Sequence, residues 1–205
     1  MKDKGAIVTT AITGTLVALM IGIFIIGGGG EEAPVASIQG LKTFDIKDRN
    51  HVKETVKYEQ TPAAGGNHDP VWLNCEGKVY DEPQRTENAV HGLEHGAVWV
   101  SYKPGTDTKE VDALMKKVEG KPYIFMSPVA EQPDQIMLTA WGNQLSVASA
   151  DDSKFDEFVK AFSQSPKAPE PGATCSTDAG MQSGGGLSPG ETPEQHAEEQ
   201  RRQQQ

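Results

Sequence analysis

The middle of the chain predicts an α+β fold: one small domain with a mainly antiparallel sheet and helices on one face of that sheet. Two kinds of segment support this prediction. Short runs rich in β-branched and aromatic residues are typical of buried strands. Longer segments whose apolar residues recur three and four positions apart are typical of amphipathic helices. They follow one another in the order strand, helix, strand, strand, strand, helix, and no segment repeats another.

The strands are predicted from their composition and from the Gly, Pro or Asn residues that bound them. A tight turn at Gly142-Asn143 is expected to join the last two. The predicted strands are 97–102, 123–126, 135–141 and about 144–148.

The two helices are predicted from capping residues and apolar spacing. Thr106 or Asp107 caps the first helix and Gly120 ends it, whereas Asp151-Asp152-Ser153 opens the second. Their apolar faces consist of Val111, Leu114, Met115 and Val118 in the first helix and of Phe155, Phe158, Val159 and Phe162 in the second.

An uncharged apolar segment at residues 6–26 predicts one transmembrane helix before the domain, because about 20 apolar residues cross a bilayer core of ~30 Å. Lys2 and Lys4 precede it and acidic residues follow it. The positive-inside rule therefore predicts a signal anchor with residues 1–5 in the cytoplasm and the rest of the chain outside. A cleaved signal peptide is the alternative, although its apolar core is normally ~7–15 residues long and no clean Ala-x-Ala site follows here.

Composition sets the limits of the domain. Residues 27–40 form a Gly/Glu/Pro linker, and residues 176–205 form a polar tail that we expect to be disordered. One extracytoplasmic domain remains, at 41–175. The formal net charge of −10 argues against nucleic acid as a partner, because phosphate binding requires a basic surface. The membrane is the partner predicted directly, through the N-terminal helix.

Cys75 and Cys175 are the only cysteines of the chain. In an oxidising compartment such a pair, without CxxC spacing, most simply forms one disulfide. The alternative is that a Cys75 thiolate joins a metal site, which leaves Cys175 without a role.

The segment 90–96, with the sequence VHGLEHG, contains three candidate metal ligands. His91 and His95 are four residues apart, so one helical turn brings both imidazoles to the same side, and Glu94 adds a carboxylate. A metal site is the functional hypothesis. The structural alternative is that His91 caps a helix or packs in the core while His95 begins a strand.

His68 is a third candidate ligand. It lies in the irregular segment 59–70, which has few apolar residues and must therefore lie on the surface, where ligand-holding loops are common. The alternative is a solvated loop residue without a function.

Taken together, these motifs resemble an uncharacterised family of bacterial domains, typically membrane-anchored or exported and notable in actinobacteria. The resemblance covers about residues 61–175, and His-x-Leu-Glu-His-Gly at 91–96 is its most specific part. The family usually has Pro-Pro-Thr-Ser-Gly-Pro-His where this chain has PAAGGNH at 62–68, so His68 is kept and the proline framing is lost. The resemblance implies the compartment and the domain limits, but no activity.

Metal binding without catalysis is the leading functional hypothesis. In it His68, His91 and His95 converge on one ion with a further ligand. Imidazoles with the thioether of Met126 suit copper, and imidazoles with the carboxylate of Glu94 suit zinc. Met126 also lies in a predicted strand, where a methionine is typically a core residue.

Two other hypotheses remain open. A metal-free accessory or interaction module of a membrane protein complex would use its tryptophans for packing or docking. A zinc hydrolase is suggested because 91–95 matches H-x-x-E-H. Gly92 weakens a helix at this place and Gly96 ends it, which argues against the hydrolase.

Overall fold

The computed structural model describes residues 38–177, which form an α+β domain with a mixed sheet. The predicted segments 1–5 and 6–26, nearly all of the linker and the tail from residue 178 onwards lie outside these described residues. In the described part the elements are β1 (Lys42–Thr43), β2 (Glu76–Val79), α1 (Thr86–Glu94), β3 (Val98–Tyr102), α2 (Thr108–Val118), β4 (Ile124–Pro128), β5 (Ile136–Ala140), β6 (Asn143–Val147) and α3 (Ser153–Phe162).

Of the helices within residues 38–177, none combines the length and the apolar character that crossing a membrane requires.

The sheet has the strand order β1-β6-β5-β3-β4-β2. The pairs β3–β5, β5–β6 and β1–β6 are antiparallel, whereas β4 pairs in parallel with both β3 and β2. The prediction of a mainly antiparallel sheet is therefore wrong in detail, because the sheet is mixed. Helix α2 carries the chain back across the sheet between β3 and β4, and such a crossover makes neighbouring strands parallel.

Helices lie on both faces of the sheet, which corrects the prediction of helices on one face. Successive side chains of a strand point to opposite faces. Val100 and Met126 join the core with residues of α2 and α3, whereas Trp99 and Phe125 join a second core with Leu93 of α1. The second core was not predicted because α1 is short and contains a glycine.

Gly92 allows α1 to lie close to the sheet. A Cβ at this position would lie 3.3 Å from Cε1 of Phe125, whose side chain is completely buried. Gly96 follows the helix with φ +90°, a backbone conformation that favours glycine. The helix thus continues through Gly92, and its last turn carries the buried residues His91 and Glu94.

The two predicted helices, observed as α2 and α3, and the predicted strands, observed as β3 to β6, are confirmed with small shifts at their ends. Asp107 caps α2 by accepting from the backbone N–H of Lys109, and Asp152 caps α3 by accepting from that of Lys154. The β5–β6 turn differs by one residue. Ala140 pairs with Asn143, so the two turn residues are Trp141 and Gly142.

The predicted disulfide between Cys75 and Cys175 is present, and it lies in the core between the sheet and α1. Both sulfurs are used, so Cys75 is not a thiolate ligand. The bond holds the C-terminal segment against the start of β2, where the backbone N–H of Cys75 also donates to the carbonyl of Cys175 at 3.1 Å.

Candidate metal centre

Three separate parts of the chain bring ligand-type side chains together. His91 and Glu94 lie three residues apart on α1 and therefore share one side of the helix. His68 comes from the loop before β2, and His51 comes from the extended segment after β1. One candidate ligand atom from each of the four lies within 4.8 Å of those of the others. These four residues are called the His/Glu cluster below.

A backbone bridge places His51 beside His68. The N–H of Val52 donates to the carbonyl of His68 at 2.7 Å, and the N–H of His68 donates to the carbonyl of Asn50 at 3.0 Å. The side-chain oxygen of Asn67 accepts from the backbone and side-chain N–H groups of Asn50 at 2.9 and 3.1 Å. The two irregular segments thus fix each other, and the His51 and His68 ring centroids are 4.9 Å apart.

His68 and Glu94 form a buried pair. The Nε2 of His68 lies 2.8 Å from Oε2 of Glu94, and its Nδ1 donates to the carbonyl of Gly66 at 2.8 Å. Burial opposes protonation of His68, but the hydrogen bonds to Glu94 and Gly66 outweigh it and raise the pKa of His68. For Glu94, burial likewise disfavours the charge, but the hydrogen bond from His68 and the nearby imidazoles lower the pKa of the carboxyl. One proton therefore joins the two side chains.

His91 remains neutral. Its Nδ1 donates to the carbonyl of Asp69 at 2.6 Å, so Nε2 carries the lone pair. Burial lowers its pKa to about 4, and the neighbouring histidines contribute in the same direction. Its ring lies 4.9 Å from that of His68 and stacks on that of His51 at 4.8 Å.

His68 and His91 each donate one ring N–H to a backbone carbonyl, as histidines in metal sites commonly do. A ligating histidine almost always donates its second ring N–H to a carbonyl or carboxylate, which fixes the ring and leaves the other nitrogen for the ion. Here Gly66 and Asp69 provide those carbonyls. Both rings are oriented for ligation through Nε2.

An ion-pair network holds the cluster's supporting segments together. Arg85 pairs with the carboxylates of Asp69 and Glu87 and donates to the carbonyl of Lys53 at 2.8 Å. Glu87 in turn accepts from the backbone N–H of Val56 at 2.7 Å. These contacts tie the chain after His51 and the chain after His68 to the first turn of α1.

Four protein side chains of this kind can hold one transition-metal ion. A tetrahedral zinc ion with bonds of ~2.0–2.1 Å places its ligand atoms ~3.3–3.4 Å apart. The ligand atoms of the cluster lie within 4.8 Å of one another, so its widest separations have to shorten by up to about 1.5 Å. The ion would replace the proton shared by His68 and Glu94, which now holds those two atoms 2.8 Å apart. The ligand set is then three imidazoles and one carboxylate.

His95 lies beside the cluster but is not one of the four. Its Nδ1 donates to the carbonyl of Thr174 at 2.8 Å, and its ring centroid lies 4.6 Å from that of His91 and 5.0 Å from that of Trp72. Burial lowers its pKa. His95 therefore packs against the far side of His91 and fastens the C-terminal segment to the end of α1.

Met126 does not lie beside the histidines with which it was predicted to bind a metal. Its side chain is completely buried among residues of the α2 and α3 core, whereas the cluster lies on the α1 face. Strand alternation sends Phe125 toward α1 and Met126 to the opposite face. The structure therefore separates the thioether of Met126 from the His/Glu cluster.

His51 was not predicted. It lies in a polar, irregular stretch with neither periodicity nor a second ligand nearby in sequence, and its partner His68 reaches it through a long-range backbone bridge. No local signal identifies such a residue.

A polar cleft of about 530 Å³ adjoins the loop that carries His68, lined by residues 45–48, 56–60 and 65–67. No side chain of the His/Glu cluster lines it.

Comparison with known proteins places this site within a family. The sequence profile described as "Protein of unknown function (DUF3105)" matches residues 51–177, which is more than half of the chain. The chain belongs to the DUF3105 family. This match begins at His51 and includes every member of the His/Glu cluster and both cysteines of the disulfide. Comparisons of this DUF3105 chain with curated proteins and with solved structures gave no match.

Proposed function

We propose that the domain binds one transition-metal ion through His51, His68, His91 and Glu94, and that zinc(II) is the ion that fits best. The observation that carries the proposal is the convergence of these four side chains within 4.8 Å at a largely buried position. Three imidazoles and a carboxylate form a borderline ligand set, which suits zinc(II) or copper(II). Met126 supplies no thioether, so the reason to favour copper(I) is lost.

The proposed role is binding without catalysis. Structural zinc sites are closed by four protein ligands, whereas catalytic sites keep a position open for water. The H-x-x-E-H match uses two histidines as ligands and the glutamate as a base. In this chain the carboxylate of Glu94 contacts His68, and His95 donates to a carbonyl and lies outside the four.

Zinc binding is tested on the full protein after removal of metals. We expect one equivalent of zinc to bind and to raise the melting temperature, because an ion at 100 times its Kd adds ~2.7 kcal/mol to the free energy of unfolding. His91→Ala and Glu94→Gln should abolish this rise.

His95→Gln is the matched control, since it changes a buried neighbouring histidine outside the four. It should keep the zinc stoichiometry even if the metal-free protein is less stable. No zinc-dependent rise in the melting temperature of the wild type would overturn the proposal and favour the metal-free accessory module.

We also propose that the domain faces the outside of the cell and is anchored by residues 6–26. The disulfide supports an oxidising compartment, and the charge distribution around 6–26 supports the direction of insertion. Protein extracted from membranes should then retain Lys2, and a reporter fused after Gln205 should be active only outside the cytoplasm. An N-terminus near Ala36 would instead demonstrate cleavage.

A further inference from the structure

The members of the His/Glu cluster differ in their exposure. The side chains of His68 and Glu94 are 0% and 4% exposed, whereas that of His51 is 50% exposed. His91 is buried as well. His51 therefore forms the solvent side of the cluster.

The members also differ in how firmly they are held. The rings of His68 and His91 are fixed by backbone carbonyls, and Glu94 lies on a helix. Within residues 38–177 the His51 imidazole makes no hydrogen bond, and its Nε2 lies 3.7 Å from Oε2 of Glu94. The His51 ring is held by stacking on the ring of His91. This contact is weaker than the buried hydrogen bond between His68 and the Glu94 carboxylate.

Indole rings pack against the two buried histidines of the cluster. Trp141 lies edge-on to His68 at 6.0 Å between centroids, and Trp72 lies 5.4 Å from His91. An ion bound by the cluster is therefore approached from the side of His51.

We propose that His51 is the displaceable ligand of the site and that its place is taken by a neutral imidazole from an incoming molecule. The proposal rests on the proposed function. In the exchange, the bond from the metal to Nε2 of His51 breaks and a bond from the metal to the incoming nitrogen forms. His68, His91 and Glu94 stay bound, and neither the charge nor the oxidation state of the ion changes.

The partner that this chemistry fits is a protein with a solvent-exposed histidine. Such a side chain can reach the position of His51 without opening the domain, whereas a ligand replacing His68 or His91 would have to displace buried rings. The site would thereby receive or release its ion through a shared intermediate bound to both proteins. A buried four-ligand site without this exchange would release zinc only when the loop or α1 opened.

The test uses the full protein with His51→Gly and free imidazole as the probe. We expect this variant to bind one zinc ion with an affinity reduced by at least ~100-fold, because losing a residue that merely orients a ligand already costs ~10–100-fold. Millimolar imidazole should restore most of the affinity. Cobalt(II) in place of zinc should show a visible spectrum that changes as imidazole binds. His91→Gly is the contrast, because its buried site should not be rescued.

A second measurement uses the wild type and does not depend on the variant folding. The rate of zinc transfer to a chelator should rise in proportion to the imidazole concentration. A transfer rate that is independent of imidazole would overturn the exchange. A His51→Gly protein that keeps wild-type affinity for zinc would overturn it as well, because His51 would then not be a ligand. Zinc binding by the wild type would then still stand, so failure of the exchange is distinguishable from failure of the proposed function.

Discussion

His68 and Glu94 combine two properties at the scale of a single residue pair: they are buried and they share a proton. Removing one partner of such a pair is costly, because the other is left as an uncompensated buried group. Without metal, the proton between the two ligand atoms stabilises the pair. A bound metal cation takes the place of that proton.

The pH dependence of zinc binding follows from the proton on His68. We expect the affinity to fall as the pH is lowered through the pKa of His68, which lies above its ordinary value of 6.5. A protonated imidazole has no lone pair, so the ion must displace the proton. His91 makes no contribution near neutrality, because its pKa of about 4 leaves it deprotonated there.

Calorimetric titration in two buffers of different ionisation enthalpy measures this effect as the release of up to about one proton per zinc ion, increasing as the pH is lowered. His95→Gln is a suitable control, because His95 lies outside the four ligands and its replacement should leave the proton release unchanged. An affinity that is constant down to about pH 5 would contradict the role of His68.

At the scale of elements, the approach of α1 to the sheet sets the position of His91 and Glu94. Phe125 is completely buried and stacks on Trp99 with ring centroids 5.8 Å apart, so it cannot move away from the helix. Gly92 is thus a packing residue, although glycine inside a helix costs about 1 kcal/mol relative to alanine.

Gly92→Ala should lower both stability and zinc affinity. The new Cβ would lie 3.3 Å from Phe125, and overpacking of a core costs ~1–3 kcal/mol, which exceeds the gain of ~1 kcal/mol in helix propensity. We expect a net loss of about 1 kcal/mol by chemical denaturation and weaker zinc binding, because α1 is displaced with its ligands.

Phe125→Leu provides the control through a double-mutant cycle. The Gly92→Ala substitution should cost less in the Phe125→Leu background, since the ring that it strikes is absent. Additive effects of the two substitutions would show that Gly92 acts through the backbone and not through Phe125.

At the scale of the whole molecule, the disulfide joins parts of the chain that are 100 residues apart. The chain-entropy account gives an upper value of ~4.7 kcal/mol for closing a loop of this length. The C-terminal segment that it holds also accepts from His95 at Thr174 and from the Tyr123 hydroxyl at Ala173. The bond therefore stabilises the segment that covers the end of α1.

Replacing Cys75 and Cys175 together by alanine should lower the melting temperature by roughly 5–20 °C, as expected for a loss of ~2–4 kcal/mol in a domain of this size. Alkylation of the denatured, unreduced wild type should find no free thiol. Two alkylated thiols, or an unchanged melting temperature of the double variant, would contradict the assignment.

The elements that the sequence predicts correctly are those whose signals are local. Capping by Asp107 and Asp152 and the apolar spacing within α2 and α3 depend on residues a few positions apart, and so does strand β3. The same holds for the grouping of His91 and Glu94 on one helical turn. The disulfide was also predictable, because the chain has no other cysteine to pair.

Long-range contacts, which local sequence does not reveal, set three features: the face of the sheet on which each helix lies, the parallel pairing of β4 and the membership of the site. His51 joins His68 through backbone hydrogen bonds between irregular segments, and such pairing leaves no periodicity in the sequence. Met126 was separated from the histidines by strand alternation in a sheet whose two faces both carry helices. His95 follows the helical spacing of a ligand, yet the carbonyl of Thr174, brought close by the disulfide, takes one of its ring nitrogens.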